Sequence, residues 1–119
     1  MARGMRIRGV GVDVVSVARF RTLARTPTSR FMLNTFSERE RAYCTAYKDA
    51  APHFAGTFAA KEAVQKASGL FTLAPTAIEI RRTKEGKPEV WLRGVRSRSL
   101  LLSITHEKAL ACATAIYCV

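Results

Sequence analysis

Apolar residues alternate with small or polar ones over residues 6–13, Arg-Ile-Arg-Gly-Val-Gly-Val-Asp, which predicts a β-strand ending on a carboxylate. Gly9 and Gly11 weaken that strand and mark a place where something approaches the backbone closely. The period then lengthens. Ser16 is placed to cap a helix over residues 17–25, which the Thr26-Pro27 pair stops. Beyond residues 31–36, Ser37 and Glu40 have capping-box spacing and open a short helix to about Ala46. Pro52 suits the first turn of a longer helix that runs to about Ser68 and stops at Gly69. Ala55, Ala59, Ala60, Ala63 and Ala67 favour that helix and let its backbone lie close to a sheet.

The second half changes period again. Residues 76–82 and 88–93 read as two strands joined by the Gly-containing loop 83–87, and residues 100–106 and 109–118 as a second pair. In the last strand Ala109, Ala111, Ala113 and Ala115 fall on one face, leaving room for a helix against it. No repeat, low-complexity tract or linker interrupts the pattern. Early helices and late antiparallel strands predict a single α+β domain over residues 1–119, its antiparallel sheet packed against the long central helix.

Composition is ordinary for a globular chain, at 48% hydrophobic and 24% charged residues, but the charge is one-sided. Twenty Lys and Arg face 9 Asp and Glu, a formal net charge of +11. Residues 1–60 hold 10 basic and 4 acidic groups and residues 61–119 hold 10 and 5, so the excess belongs to the whole domain rather than to a tail. Such an excess asks for an anionic partner: nucleic acid, an anionic membrane, a phosphate-rich ligand or an acidic protein. Nucleic acid fits poorly, because Trp91 and Phe71 stand apart and no helix-turn-helix or RNA-recognition signature occurs. Membrane association fits no better. No apolar run approaches the roughly 20 residues of a membrane span, and no basic amphipathic helix has a full apolar face. The first residues lack the apolar stretch of a secretory signal. Cys44, Cys112 and Cys118 lack zinc-site spacing and are expected reduced, as small hydrophobes. The expected compartment is the cytoplasm, with an organelle matrix as the alternative.

Candidate chemistry centres on two carboxylates. Asp13 ends the glycine-flanked strand, and Glu62 lies mid-helix in Phe58-Ala59-Ala60-Lys61-Glu62-Ala63. Carboxylates from two rigid elements with cations around them suit Mg²⁺ shared with phosphate oxygens. Each also has a plainer reading: Asp13 as a cap for the following helix, Glu62 as the i,i+4 partner of Lys66. Lys66, Ser68 and Gly69 close the same helix, whose C-terminus disfavours anions, so a phosphate there depends on Lys66 itself. His106 ends an apolar strand and His53 sits just inside a helix, and either suits a structural hydrogen bond as well as a ligand contact. No phosphate-binding loop, dinucleotide fingerprint or nucleophile-elbow pattern occurs.

Three blocks carry a resemblance. Gly9-Val10-Gly11-Val12-Asp13-Val14-Val15 with Arg19, Phe54-Ala55-Gly56-Thr57-Phe58-Ala59-Ala60-Lys61-Glu62-Ala63-Val64-Gln65-Lys66-Ala67, and Leu102-Ser103-Ile104-Thr105-His106 resemble the signature blocks of the 4′-phosphopantetheinyl transferases, in order and spacing. The short length is that of the holo-acyl-carrier-protein synthase type. Residues 36–40 with Tyr43 and Cys44 agree, as does Ile78-Glu79-Ile80 followed by Gly86-Lys87-Pro88.

The resemblance implies Mg²⁺-dependent transfer of the phosphopantetheine arm of coenzyme A to a serine of an apo acyl carrier protein, releasing adenosine 3′,5′-bisphosphate. By position, Asp13 and Glu62 match the metal ligands, and Lys66 matches a residue that contacts the coenzyme A phosphates, with Ser68 and Gly69 beside it. His106, flanked by Ser103 and Thr105, matches a block near the nucleotide, and Lys87 and Pro88 match a loop beside it. The proton acceptor is left open between a metal-polarised water and Glu62. A homotrimer with sites at subunit interfaces is implied, as is an acidic carrier protein, for which Arg21, Arg25 and Arg30 are docking candidates; Arg21 and Arg25 are four apart on the expected helix. Two departures stand out. Many bacterial members have Arg where this chain has Thr57, while transferase domains of fungal fatty-acid synthases resemble Phe-Ala-Gly-Thr, as here. Val15 stands where some members place a third carboxylate. Losing the Arg removes one phosphate contact, which Lys66, Lys87 or another cation must replace.

Overall fold

In the computed structural model, which describes residues 4–119, β1 (Ile7–Ser16) leads through α1 (Val17–Leu23), α2 (Arg30–Thr35) and α3 (Glu38–Thr45) into the long α4 (Ala51–Ser68). A 3-10 turn, Pro75–Ala77, then opens β2 (Ile78–Arg82), followed by β3 (Pro88–Leu92), β4 (Val95–Arg96), β5 (Leu100–His106) and β6 (Leu110–Cys118). The strands form two antiparallel sheets, ordered β1-β6-β5 and β2-β3-β4, and α4 packs on the first. This is the expected α+β architecture.

The glycines of β1 explain how close that packing is. A Cβ at Gly9 would stand 1.9 Å from the Ala67 carbonyl oxygen, and one at Gly11 2.0 Å from that of Ala63. The object approaching the strand is therefore the backbone of α4. Two residues of strand and four of helix both advance about 6–7 Å, so the contact repeats in step. Ala111, Ala113 and Ala115 of β6 lie buried under the same helix, as their spacing predicts. Ala109 does not belong to this face. It is exposed and precedes the strand, and its carbonyl accepts from the Val17 amide at 2.9 Å. That bond also answers for Ser16, whose side chain makes no capping bond to α1.

The capping box forms as expected: Ser37 Oγ accepts from Glu40 N at 3.2 Å, and Ser37 N donates to Glu40 Oε1 at 2.9 Å. Glu40 then does more than cap. Fully buried, it also takes Ile80 N on Oε2 at 2.7 Å and faces Lys61 Nζ at 2.8 Å, tying α3, α4 and β2 together. Burial pushes the Glu40 carboxyl up and the Lys61 ammonium down, each opposed by the other's charge.

Three further differences have local causes. α1 ends at Leu23, because the Arg25 amide bonds back to Thr22 just before the Thr26-Pro27 pair; Arg21 and Arg25 therefore do not share a helical face. Residues 30–35 form α2, whose N-cap Ser29 accepts from Met32 N at 3.3 Å. Arg93 and Gly94 both take positive φ, the two-residue turn that folds β3 back into β4. The three cysteines are free, and burial pushes the Cys44 thiol up to about 12.

Candidate active site

Gly9, Gly11, Asp13 and Val15 share the helix-facing side of β1, so Asp13 is the next inward position after two glycines. The glycines bring α4 close, and its side chains lean toward the helix N-terminus, which carries Lys66 over the turn holding Glu62. Lys66 Nζ donates to the Val12 carbonyl at 2.9 Å and meets Asp13 Oδ1 at 3.4 Å. Asp13 is largely covered, its side chain 19% exposed. Glu62, one helical turn from Lys66 and half-buried, makes no side-chain hydrogen bond or ion pair among the described residues, so both its oxygens are free. Two hard oxygen donors beside a lysine fit Mg²⁺, which takes one or two carboxylates and draws its other oxygens from substrate and water. Among the described residues no group of three or more His, Cys, Asp or Glu comes together, so softer, protein-rich coordination has no counterpart here.

A second feature lies on the other side of α4. A cleft of about 170 Å³ is lined by Tyr43, His53, Arg82, Pro88 and His106 among others. His53 and His106 meet edge to face at 5.3 Å between ring centroids, and Tyr47 stacks on His53 at 3.6 Å. The His53 imidazole is held below its ordinary value by burial first, then by the charges of His106 and Arg82. Ile104, on the inward face of β5, comes so near Gly56 that a Cβ there would sit 3.0 Å from its Cγ2; His106 shares this inward side.

With this geometry in place, comparison with known proteins is decisive. A family model described as the 4′-phosphopantetheinyl transferase superfamily matches residues 9–115. The holo-(acyl-carrier-protein) synthase of Syntrophotalea carbinolica is 37% identical over 122 residues, covering 93% of this chain and 95% of that protein. The chain belongs to the 4′-phosphopantetheinyl transferase superfamily. It is of the holo-acyl-carrier-protein synthase type and has the fold of solved members. A Bacillus anthracis holo-(acyl-carrier-protein) synthase, in complex with CoA (3′,5′-ADP), matches with a TM-score of 0.77 at 30% identity, covering 93% of this chain and 96% of that one. The synthase from Plasmodium yoelii gives 0.77 at 29% identity, covering 98% of each chain.

Seen as a phosphopantetheinyl transferase, the chain brings some expected residues together and separates others. Lys66 meets Asp13, and Glu62 lies one helical turn from Lys66 on α4. Pro88 and His106 line the cleft, whereas Lys87 borders a neighbouring hollow under β5. Ser103 and Thr105 lie on the opposite, outer face of the sheet: Ser103 pairs with Thr114, which pairs with Val12. Ser68 and Gly69 finish the helix. The Ser68 hydroxyl bonds the Val64 carbonyl at 2.6 Å, and Gly69 takes φ +76. Of the docking candidates, Arg21 is engaged with Asp49 at 2.8 Å, Arg25 lies in the turn after α1, and Arg30 starts α2. Arg82 was not among the candidates. Its signal was the strand period, since Ile78, Ile80 and Arg82 occupy one side of β2 and the first two are core.

Proposed function

We propose that this protein transfers the 4′-phosphopantetheine group of coenzyme A to a serine hydroxyl of an apo acyl carrier protein, with Mg²⁺, releasing adenosine 3′,5′-bisphosphate. The observation that carries the reading is the contact of Lys66 with Asp13 where α4 crosses the edge strand β1, with Glu62 one helical turn from Lys66 on α4. In the reaction the serine oxygen bonds to the phosphorus bearing the pantetheine arm, and the bond from that phosphorus to the nucleotide's bridging oxygen breaks. Negative charge grows on the equatorial and leaving oxygens, and preorganised cations there lower the barrier. Asp13 and Glu62 would hold Mg²⁺, which when bound neutralises diphosphate oxygens. Lys66, oriented by the Val12 carbonyl and half-exposed, is placed to contact the transferring phosphate. Glu62, free of other partners, also stands available to receive the serine proton.

The outer face of the β1-β6-β5 sheet supports a homotrimer. Val10, Val12, Val14 and Leu101 stand 52–62% exposed on one surface, an unpartnered apolar patch of the kind that marks association. Ser103 and Thr105 share that surface, so a site assembled between copies brings them back toward coenzyme A. An acidic carrier protein complements the +11 charge. Among the described residues no helix is long and apolar enough to cross a membrane. The free cysteines favour a reducing compartment, the cytoplasm or an organelle matrix, and we treat residues 1–119 as one catalytic domain.

Incubation with coenzyme A, Mg²⁺ and an apo carrier protein tests the reading, with transfer followed by mass. Asp13→Ala and Glu62→Ala are each expected to lower turnover by about a hundredfold or more while leaving the thermal melt unchanged. Full activity in both variants would remove the metal assignment.

A further inference from the structure

Thr57 is fully buried, and its hydroxyl does two things at once. It donates to the His53 carbonyl at 2.8 Å and accepts from Arg82 Nη2 at 3.0 Å. Arg82, arriving from β2, thus places its guanidinium against the hydroxyl of the residue that stands where many relatives carry an arginine. The ring of Tyr43 lies 4.2 Å below its central carbon and holds it flat. Its other terminal nitrogen, Nη1, is buried and has no hydrogen-bond partner among the described residues. Leaving such a donor unsatisfied is unfavourable, more so for a charged group, and Arg82 itself lines the cleft, where an acceptor could meet the guanidinium. The cleft beside it offers none: no carboxylate lines it, and its other ionisable groups are Tyr43 and the imidazoles His53 and His106. A cation held in place beside two histidines, with no carboxylate in the cleft and Glu89 only in a neighbouring hollow that Arg82 also lines, describes an oxyanion site.

We propose that Arg82 binds the ribose 3′-phosphate of coenzyme A, supplying from β2 the cation that Thr57 removes from α4. The proposal rests on coenzyme A being the donor. It assigns the 3′-phosphate rather than the diphosphate because of helical geometry. At 100° per residue, Glu62 and Lys66 lie about 140° and 180° around α4 from Thr57, and about 8 and 14 Å along its axis. Arg82 and Lys66 therefore address different phosphates, and coenzyme A carries phosphate in two separate places. The lowered affinity of His53 for a proton comes first from burial and then from the charges of His106 and Arg82, and only the charge part is what an anion would offset.

The test compares coenzyme A with 3′-dephospho-coenzyme A as donors, and adenosine 3′,5′-bisphosphate with adenosine 5′-monophosphate in calorimetric titrations. For the wild type, removing the 3′-phosphate is expected to lower kcat/KM and affinity by about tenfold to a hundredfold. In Arg82→Gln the two donors become equivalent, and the bisphosphate binds no better than the monophosphate. Undiminished discrimination in Arg82→Gln, or equal weakening of both nucleotides, overturns the assignment. Should Arg82→Gln fail to fold, Arg82→Lys serves. It keeps the charge but loses the planar fork, so the bisphosphate alone weakens, and equal effects on both nucleotides again overturn the idea. A wild-type enzyme that transfers nothing from coenzyme A yet prefers the bisphosphate would sink the proposed reaction and leave the Arg82 site standing. A wild type that shows no preference for the bisphosphate sinks the Arg82 site, whatever its activity.

Discussion

Protonating His53 is harder in the fold than in the unfolded chain, because burial and the facing charges of His106 and Arg82 disfavour a second cation there; only the exposed Asp49 pulls the other way. Its folded value therefore lies below the ordinary 6.5. The unfolded chain takes up this proton first, so the contribution to stability is full above the unfolded value and is lost as pH falls through the folded one. In His53→Gln the loss of unfolding free energy between about pH 7.5 and about pH 5.5 is expected to be smaller than in the wild type. Urea unfolding at both pH values measures this, and an unchanged loss would show that the imidazole is solvated. Gly11 acts through space rather than charge. Gly11→Ala drives a methyl into the Ala63 carbonyl of α4 and is expected to cost about 2–4 kcal/mol. At Gly86 a Cβ meets nothing and only the positive φ is strained, so Gly86→Ala should cost about 1–2 kcal/mol.

Between elements, the decisive contact is Glu40 with Lys61. The capping box requires Glu40 only to reach back to Ser37, yet the same carboxylate closes α3 against α4 and β2. Lys61 also donates to the carbonyls of Pro75 and Ile78, so it orders the approach to β2 and, through it, Arg82. Lys61→Met leaves Glu40 buried without its counter-charge, an expected loss of about 3–5 kcal/mol. Adding Glu40→Leu should recover part of that loss, because the uncompensated charge goes with it. Chemical denaturation of both single variants and the double variant closes the cycle. A strictly additive double variant would mean that the two charges do not sense each other.

For the whole molecule, the question is what covers the outer face of the β1-β6-β5 sheet. Four exposed aliphatic side chains on one flat surface are more than a monomer of this size needs to show. With Val14→Arg the proposed trimer is expected to dissociate, read by light scattering as a fall to about a third of the wild-type mass. Wild-type protein that is monomeric at micromolar concentration would refute the assembly. The proposed reaction would account for the charge of +11, since two anionic substrates would share one small basic domain.

Periodicity and local chemistry determined much of this protein in advance. The alternation of β1, the Ser37–Glu40 box, the Pro52 start and Gly69 stop of α4, and the three alanines of β6 all rest on interactions within a few residues or on one repeating face. Asp13 and Glu62 stand out as candidates because both sit in recognisable blocks, though only the glycine-mediated approach of α4 brings Lys66 onto Asp13. Other features needed the tertiary structure. α2, the Arg93-Gly94 turn and the early end of α1 follow from bonds that propensity does not register. Ser103 and His106 look adjacent in sequence, but the pleat sends them to opposite faces. Arg82 is 25 residues from Thr57, and nothing local announces that one completes the other. Sequence patterns carry information over one helical turn or one strand pleat; the meeting of a β2 guanidinium with an α4 hydroxyl is settled only when sheet and helix pack.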